Sequence, residues 1–280
     1  MSDRRGGISF DLSGVPLRIR GLSRPFEGRL AGEWSFFRAE PLAEPFLDLD
    51  VTSEEAPAPA GRFDPKAMRS DLSHDRAFFG MPEGSAAVDS NGRATVRLST
   101  AVEGERTWFA FMNLLRAALA WRLPSRGGAL LHAAGIVLEG RAFVLAGAQD
   151  SGKSTFAALA ESSGARVLSD DLVLLDSEGP TVDALGAPFR STHPGTSSPG
   201  RWPVAALLFP VHGTSARLTA LPRIVARARI AANLPFVADA LGTDPRIAAL
   251  IDRLVEAVPV RELTFARDPS FVEPLRTFAG

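Results

Sequence analysis

Apolar and polar positions alternate at the start of the chain. Ile8, Phe10 and Leu12, then Val15, Leu17 and Ile19, are separated by polar or small residues, the period of strands buried on one face. Phe46-Leu47-Asp48-Leu49-Asp50-Val51 repeats the pattern, and residues 87–99 carry two short alternating runs around Ser90-Asn91-Gly92. Asn-Gly supplies the positive φ of a tight hairpin turn. Residues 54–65 are rich in Pro and Ala and predict a loop. The period then changes: residues 105–122 are apolar on most sides, with Arg106, Asn113 and Arg116 along one stripe, which predicts a largely buried helix.

Residues 124–128 are turn formers, and beyond them strands alternate with helices, the grammar of an α/β domain. Strands are expected over residues 130–134, 135–138, 142–146, 166–168, 172–175, 204–209 and 260–265. Helices are expected over 152–162, with Gly164 as its C-terminal cap, and over 224–232, 247–257 and 270–278. Residues 189–203, a run of Ser, Thr, Pro and Gly, have the length of an active-site lid or of a plain connector. Two domains follow, a β-rich one over residues 1–125 and an α/β one over 126–280.

Composition narrows the class. The 280 residues carry 31 basic and 32 acidic side chains, a formal net charge of −1, and no cysteine. Disulfides and thiolate metal sites are excluded, and no global field draws the chain to nucleic acid or an anionic membrane. There is no nucleic-acid-binding module or long basic run. Residues 1–10 lack an apolar signal region, and the longest apolar stretch, 107–121, is interrupted by Asn113 and Arg116 and falls short of the roughly 20 residues of a membrane span. A cytoplasmic protein with neither membrane nor nucleic-acid partners is expected.

Gly147-Ala148-Gln149-Asp150-Ser151-Gly152-Lys153-Ser154 fits G-x-x-x-x-G-K-[ST], preceded by an apolar strand and followed by a helix, the context this motif requires. Glycines at both ends let the backbone wrap so that successive N–H groups, with Thr155 continuing the first helical turn, point at a β-phosphate. Lys153, with Lys66 one of only two lysines, then reaches the terminal phosphates, and the Ser154 hydroxyl ligates Mg²⁺. Asp150 is out of keeping with an anion cradle and is expected to face solvent or an arginine.

Arg166-Val167-Leu168-Ser169-Asp170-Asp171 sets two carboxylates at the end of a short strand expected beside the phosphate-loop strand. One acid can hold Mg²⁺ and the other accept the proton of an attacking hydroxyl; alone, the pair reads equally as a solvated strand end. His132 lies among Leu130, Leu131, Ala133 and Ala134, and by itself reads as a buried histidine satisfied by a carbonyl or as a catalytic group. His74, His193 and His212 have no partners at metal-ligand spacing and are assigned no function. Arg190, Arg201, Arg223, Arg227 and Arg229 follow without an intervening acid, either a source of positive potential for a phosphate or acidic acceptor, or a solvated face.

At His132, the 147–154 loop and Asp170-Asp171 the chain resembles the catalytic domain of the HPr kinase/phosphorylase family, whose phosphate loop is related to that of phosphoenolpyruvate carboxykinases. His132 precedes Gly147 by fifteen residues, and the acids follow Ser154 by sixteen and seventeen; the likeness covers residues 132–176. It implies a phosphate-loop α/β nucleotide-binding domain preceded by a smaller β-rich α+β domain. It also implies Asp171 as the general base, Asp170 as the supporting or metal-side carboxylate, and His132 and Lys153 in the active site. ATP or another purine triphosphate, with Mg²⁺, is the implied cofactor set.

The expected activity is transfer of the γ-phosphoryl group to a hydroxyl on a protein, peptide or small molecule, with a nucleotide-binding regulatory module as the alternative and homo-oligomerisation left open. Two departures stand out. The family's downstream metal-binding glutamate has no counterpart, since Thr196 lies near its position and Asp183 is the acid left to substitute. The first 125 residues show no likeness to that family's N-terminal domain, so its protein acceptor does not carry over.

Overall fold

The computed structural model describes residues 7–41, 43–56, 59–189 and 199–279. The chain divides into two compact units, Met1–Arg122 and Leu123–Gly280. It is mixed α/β, with one mixed sheet in each unit.

The first unit contains β1 (Ile8–Asp11), β2 (Pro16–Arg20), α1 (Arg24–Glu33), β3 (Leu47–Glu54), β4 (Arg69–Leu72), β5 (Arg76–Met81), β6 (Gly84–Asp89), β7 (Arg93–Ser99) and α2 (Glu105–Arg122). Its sheet runs β1-β2-β3-β7-β6-β5-β4. The alternation works as it should: Leu47, Leu49 and Val51 are buried while Asp48 and Asp50 face outward. α2 packs on the inner side of β5, β6 and β7, with Trp108, Phe111, Leu114, Leu115 and Leu119 buried. Three elements escaped the sequence pattern. α1 buries only Leu30, too little for an apolar period; β4 is exposed over Arg69, Ser70 and Asp71, and β5 turns Phe78 outward, which breaks the apolar–polar alternation.

The second unit contains β8 (Gly128–Leu138), β9 (Arg141–Ala146), α3 (Lys153–Ser162), β10 (Arg166–Ser169), β11 (Leu172–Asp176), β12 (Asp183–Leu185), β13 (Arg201–His212), β14 (Arg217–Ala220), α4 (Arg223–Ala231), α5 (Pro245–Ala257), β15 (Val260–Phe265) and α6 (Val272–Ala279). The two strands expected over 130–138 are one continuous strand, β8. Gly135 does not turn the chain; a Cβ there would lie 3.0 Å from Val173 Cγ2 and 3.3 Å from Leu168 Cβ, so the glycine admits neighbouring side chains over the strand. The loop expected to reach residue 203 ends earlier, because β13 begins at Arg201. The lid or connector reading of residues 190–198, with Arg190, His193 and Thr196, lies outside the described residues.

β8 organises the unit. β10 and β11 run end to end along one edge, pairing Ser169 with Gly135 and Leu172 with His132, so Asp170-Asp171 occupy the break between them. β9 pairs with residues 133–138 on the opposite edge. The acidic pair is therefore not beside the phosphate-loop strand, as the sequence suggested; β8 stands between them. β13 runs parallel to both β9 and β15, so three strands end on the same side. Behind them α3 is anchored by Phe156, which stacks on Phe271 at 4.9 Å between centroids, with Phe265 edge-on to Phe271 at 5.3 Å. Among the described residues no helix is long and apolar enough to cross a membrane.

Candidate active site

After Ala146 the chain leaves β9, turns through residues 147–152 and enters α3 at Lys153. The turn is pinned where it starts: the Gly147 N–H donates to His132 O at 3.4 Å and the Ser151 N–H to Ala148 O at 3.3 Å. Asp150 (φ +62°) and Gly152 (φ +97°) both adopt left-handed backbone, which reverses the chain so that the start of α3 faces the cleft. Gly152 is the N-cap and brings no side-chain cap, so the first-turn amides are left to whatever occupies that cleft. The Ser151 hydroxyl is buried with no hydrogen-bond partner among the described residues.

Lys153 is 7% exposed. Its ammonium lies across its own loop, donating to Gly147 O at 2.9 Å and Ala148 O at 2.7 Å. Burial lowers its pKa, opposed by Asp171, Asp150 and Asp170. Those three carboxylates balance a charge drawn away from water. Asp150 is exposed and lines the cleft, so it faces solvent as expected.

The acidic turn is held by Ser169. Its hydroxyl donates to Phe189 O and accepts the N–H groups of Asp171 and Leu172, each at 3.1 Å. Ala133 N–H donates to Asp171 O at 3.0 Å, tying the turn to β8. Asp170 is buried at 2% exposure, whereas Asp171 is half-exposed and faces His132, with Oδ1 3.8 Å from Nε2. Burial and the Lys153 charge push the His132 pKa down, while Asp171 pulls it up.

These groups meet in one cleft of about 640 Å³, lined by His132, Gln149, Asp150, Gly152, Lys153, Ser154, Thr155, Asp170 and Asp171. Gly147, Ala148 and Ser151 shape the loop from behind. The lining also includes His212, assigned no function from its spacing, and Phe265, Ala266 and Arg267, which no sequence motif singled out. His212 ends β13, and Arg267 follows β15, which pairs with β13 at His212 and Phe265. With β9 they form a row of parallel C-terminal ends, where open α/β sheets place their ligand clefts. The signal was in the strand order, which the sequence does not display.

Other expectations do not reach the cleft. Asp183 accepts from Arg201 and from the Thr181 hydroxyl, and it is not among the residues lining the cleft. The run of arginines is opposed by acids that folding brings alongside: Arg201 meets Asp176 at 2.9 Å, Arg223 meets Glu256 at 2.5 Å, Arg227 meets Asp252, and Arg229 meets Glu262 at 2.9 Å. The positive stretch of the sequence is therefore neutralised, by α5 and β15 for the three residues on α4.

Ser154 lines the cleft together with the carboxylates of Asp170 and Asp171, oxygen donors that suit Mg²⁺, a hard ion that takes one or two carboxylates and completes its shell with water or phosphate. The uncapped helix start, the unpartnered Ser151 hydroxyl and the nearby ammonium suit an oligophosphate. No family model matches the chain, and no curated protein matches it.

Proposed function

We propose that the second unit is a phosphate-loop kinase domain of the HPr kinase/phosphorylase type, moving the γ-phosphoryl group of ATP, or another purine triphosphate, to a hydroxyl on a protein, peptide or small molecule in the cytoplasm. The observation that carries this reading is the convergence of Lys153, Ser154, Asp170 and Asp171 on one cleft at the ends of three parallel strands.

Each residue has a task in that reaction. The first-turn amides and Lys153 hold the β- and γ-phosphates, with the Lys153 ammonium exchanging the Gly147 and Ala148 carbonyls for phosphate oxygens. Asp171 accepts the acceptor's hydroxyl proton as the oxygen bonds to the γ-phosphorus and the bond to the bridging oxygen of ADP breaks. His132 stands beside the Asp171 carboxylate on the cleft wall, and Arg267 adds positive charge across the cleft. Mg²⁺, held by Ser154 and Asp170, would supply charge neutralisation on the phosphates. Most of the acceleration comes from positioning and preorganised charge.

A second reading, a nucleotide-responsive binding module without transfer, is favoured by one observation: Asp183, the only acid left to replace the missing metal ligand, is held by Arg201. Calorimetry with MgATP and incubation of γ-labelled ATP with cell lysate separate the two. A kinase binds and labels an acceptor; a module binds and labels nothing. Absence of binding to any purine triphosphate sinks both.

A further inference from the structure

A second cleft, of about 1550 Å³, lies on the outer face of the first unit's sheet. Register sorts that face into rows. One row runs Arg93, Asp89, Arg76 across β7, β6 and β5; the next runs Thr95, Ala87, Phe78, Asp71; the third runs Arg97, Ser85, Gly80, Arg69. Arginines stand at the four corners around a floor of small residues and one ring.

The face has two unlike halves. Over β2 and β3 the charges cancel: Arg18 meets Asp48 at 2.5 Å and Arg20 meets Asp50 at 2.7 Å. Over β4 to β7, Arg69, Arg76, Arg93 and Arg97 form no side-chain ion pair among the described residues, and all four are exposed. They are set against Asp71 and Asp89, and Asp89 already accepts the backbone amides of Asn91 and Arg93; Asp48, the cross-strand neighbour of Arg93, is already held by Arg18 and Arg20. Phe78 is 46% exposed, with its ring lying over Gly80, where a Cβ would be 3.1 Å from Cε1. This half thus offers surplus positive charge and an uncovered aromatic surface together.

We propose that this half of the sheet face docks an extended acidic peptide segment. Rows one and three are four residues apart, about 14 Å along the strands, and the flanking arginines are about 10–14 Å apart across them. An extended peptide with carboxylates four residues apart spans the same length, so its acids meet arginines at both ends while the intervening side chains lie on Ala87 and Phe78. A nucleic-acid backbone fits worse, because a charge on every nucleotide would lie against Asp71 and Asp89. The inference stands independently of phosphoryl transfer.

The test uses the full-length protein and a fluorescent synthetic peptide with two glutamates four apart in a Thr/Val background. Saturable, salt-weakened binding is expected, reduced about tenfold or more by Arg76→Ser with Arg97→Ser and unchanged by Arg24→Ser on α1 or by Lys153→Ala. Circular dichroism melting checks that the variants fold. Equal binding of a glutamine version, equal binding by the double variant, tighter binding of a single-stranded oligonucleotide, or a dimer that the double variant breaks without any peptide binding would each overturn the proposal. The Lys153→Ala arm keeps this outcome separate from failure of the kinase reading.

Discussion

His132 Nε2 stands 3.8 Å from Asp171 Oδ1, close enough for charge to couple them and too far for a firm hydrogen bond. Burial and Lys153 hold the imidazole pKa below its ordinary 6.5, against the pull of Asp171. As pH falls, the unfolded chain takes up this proton first. The contribution to stability is therefore full above about pH 6.5 and declines below it, until the folded imidazole also protonates. An NMR titration should place His132 under 6.5. Lys153→Met should move it up and Asp171→Asn further down; an unshifted imidazole, or no response to Lys153→Met, contradicts this electrostatic picture.

Lys153 and Asp171 should fail differently. Lys153→Ala removes the ammonium and should abolish triphosphate binding in calorimetry. Asp171→Asn should preserve that binding and lower transfer by about 10²–10⁴-fold, the usual contribution of a general base. Undiminished transfer by Asp171→Asn would show that another group takes the proton.

Ser169 is a positioning residue whose hydroxyl organises three backbone groups. Ser169→Ala leaves the Asp171 and Leu172 amides and the Phe189 carbonyl short of a buried partner and should destabilise the protein by about 1–3 kcal/mol. Denaturant unfolding measures this directly, and a midpoint unchanged from the parent protein would mean that the turn holds itself.

Gly152 tests the loop by conformation rather than by contact. A Cβ there meets only Phe265 Cζ, at 3.7 Å, so Gly152→Ala has room; its difficulty is the backbone at φ +97°. The substitution should cost about 1–2 kcal/mol and weaken nucleotide binding by tilting the start of α3. Equal stability and affinity in the two proteins would place the strain elsewhere.

Some of the site was legible before any fold was known. The motif at 147–154 depends on local backbone, with glycines where the chain must reverse and a helix start following a strand. That is why Lys153 and Ser154 could be singled out from spacing. Patterning likewise marked α2, apolar on most sides and largely buried, and the β6–β7 hairpin, which buries one face. It failed at Gly135, where a glycine that looked like a break proved to be a site of close packing, and at α1, which buries one apolar side chain.

Other features were not local. The arginines at 201–229 read as an open positive stretch because the acids that oppose them come from residues 176, 183, 252, 256 and 262. His212 and Arg267 reach the cleft only because β13 and β15 pair in parallel, bringing together residues more than fifty positions apart.

The amino-acid order alone determined the elements whose causes are short-range: alternating burial, a glycine-lysine turn, a helix following a strand. Tertiary structure decided which side chains meet. Strand order and register set the Asp170-Asp171 turn across β8 from the loop and gathered four arginines on one sheet face. Cross-strand neighbours are fixed by pairing between distant segments, which no local window of sequence contains.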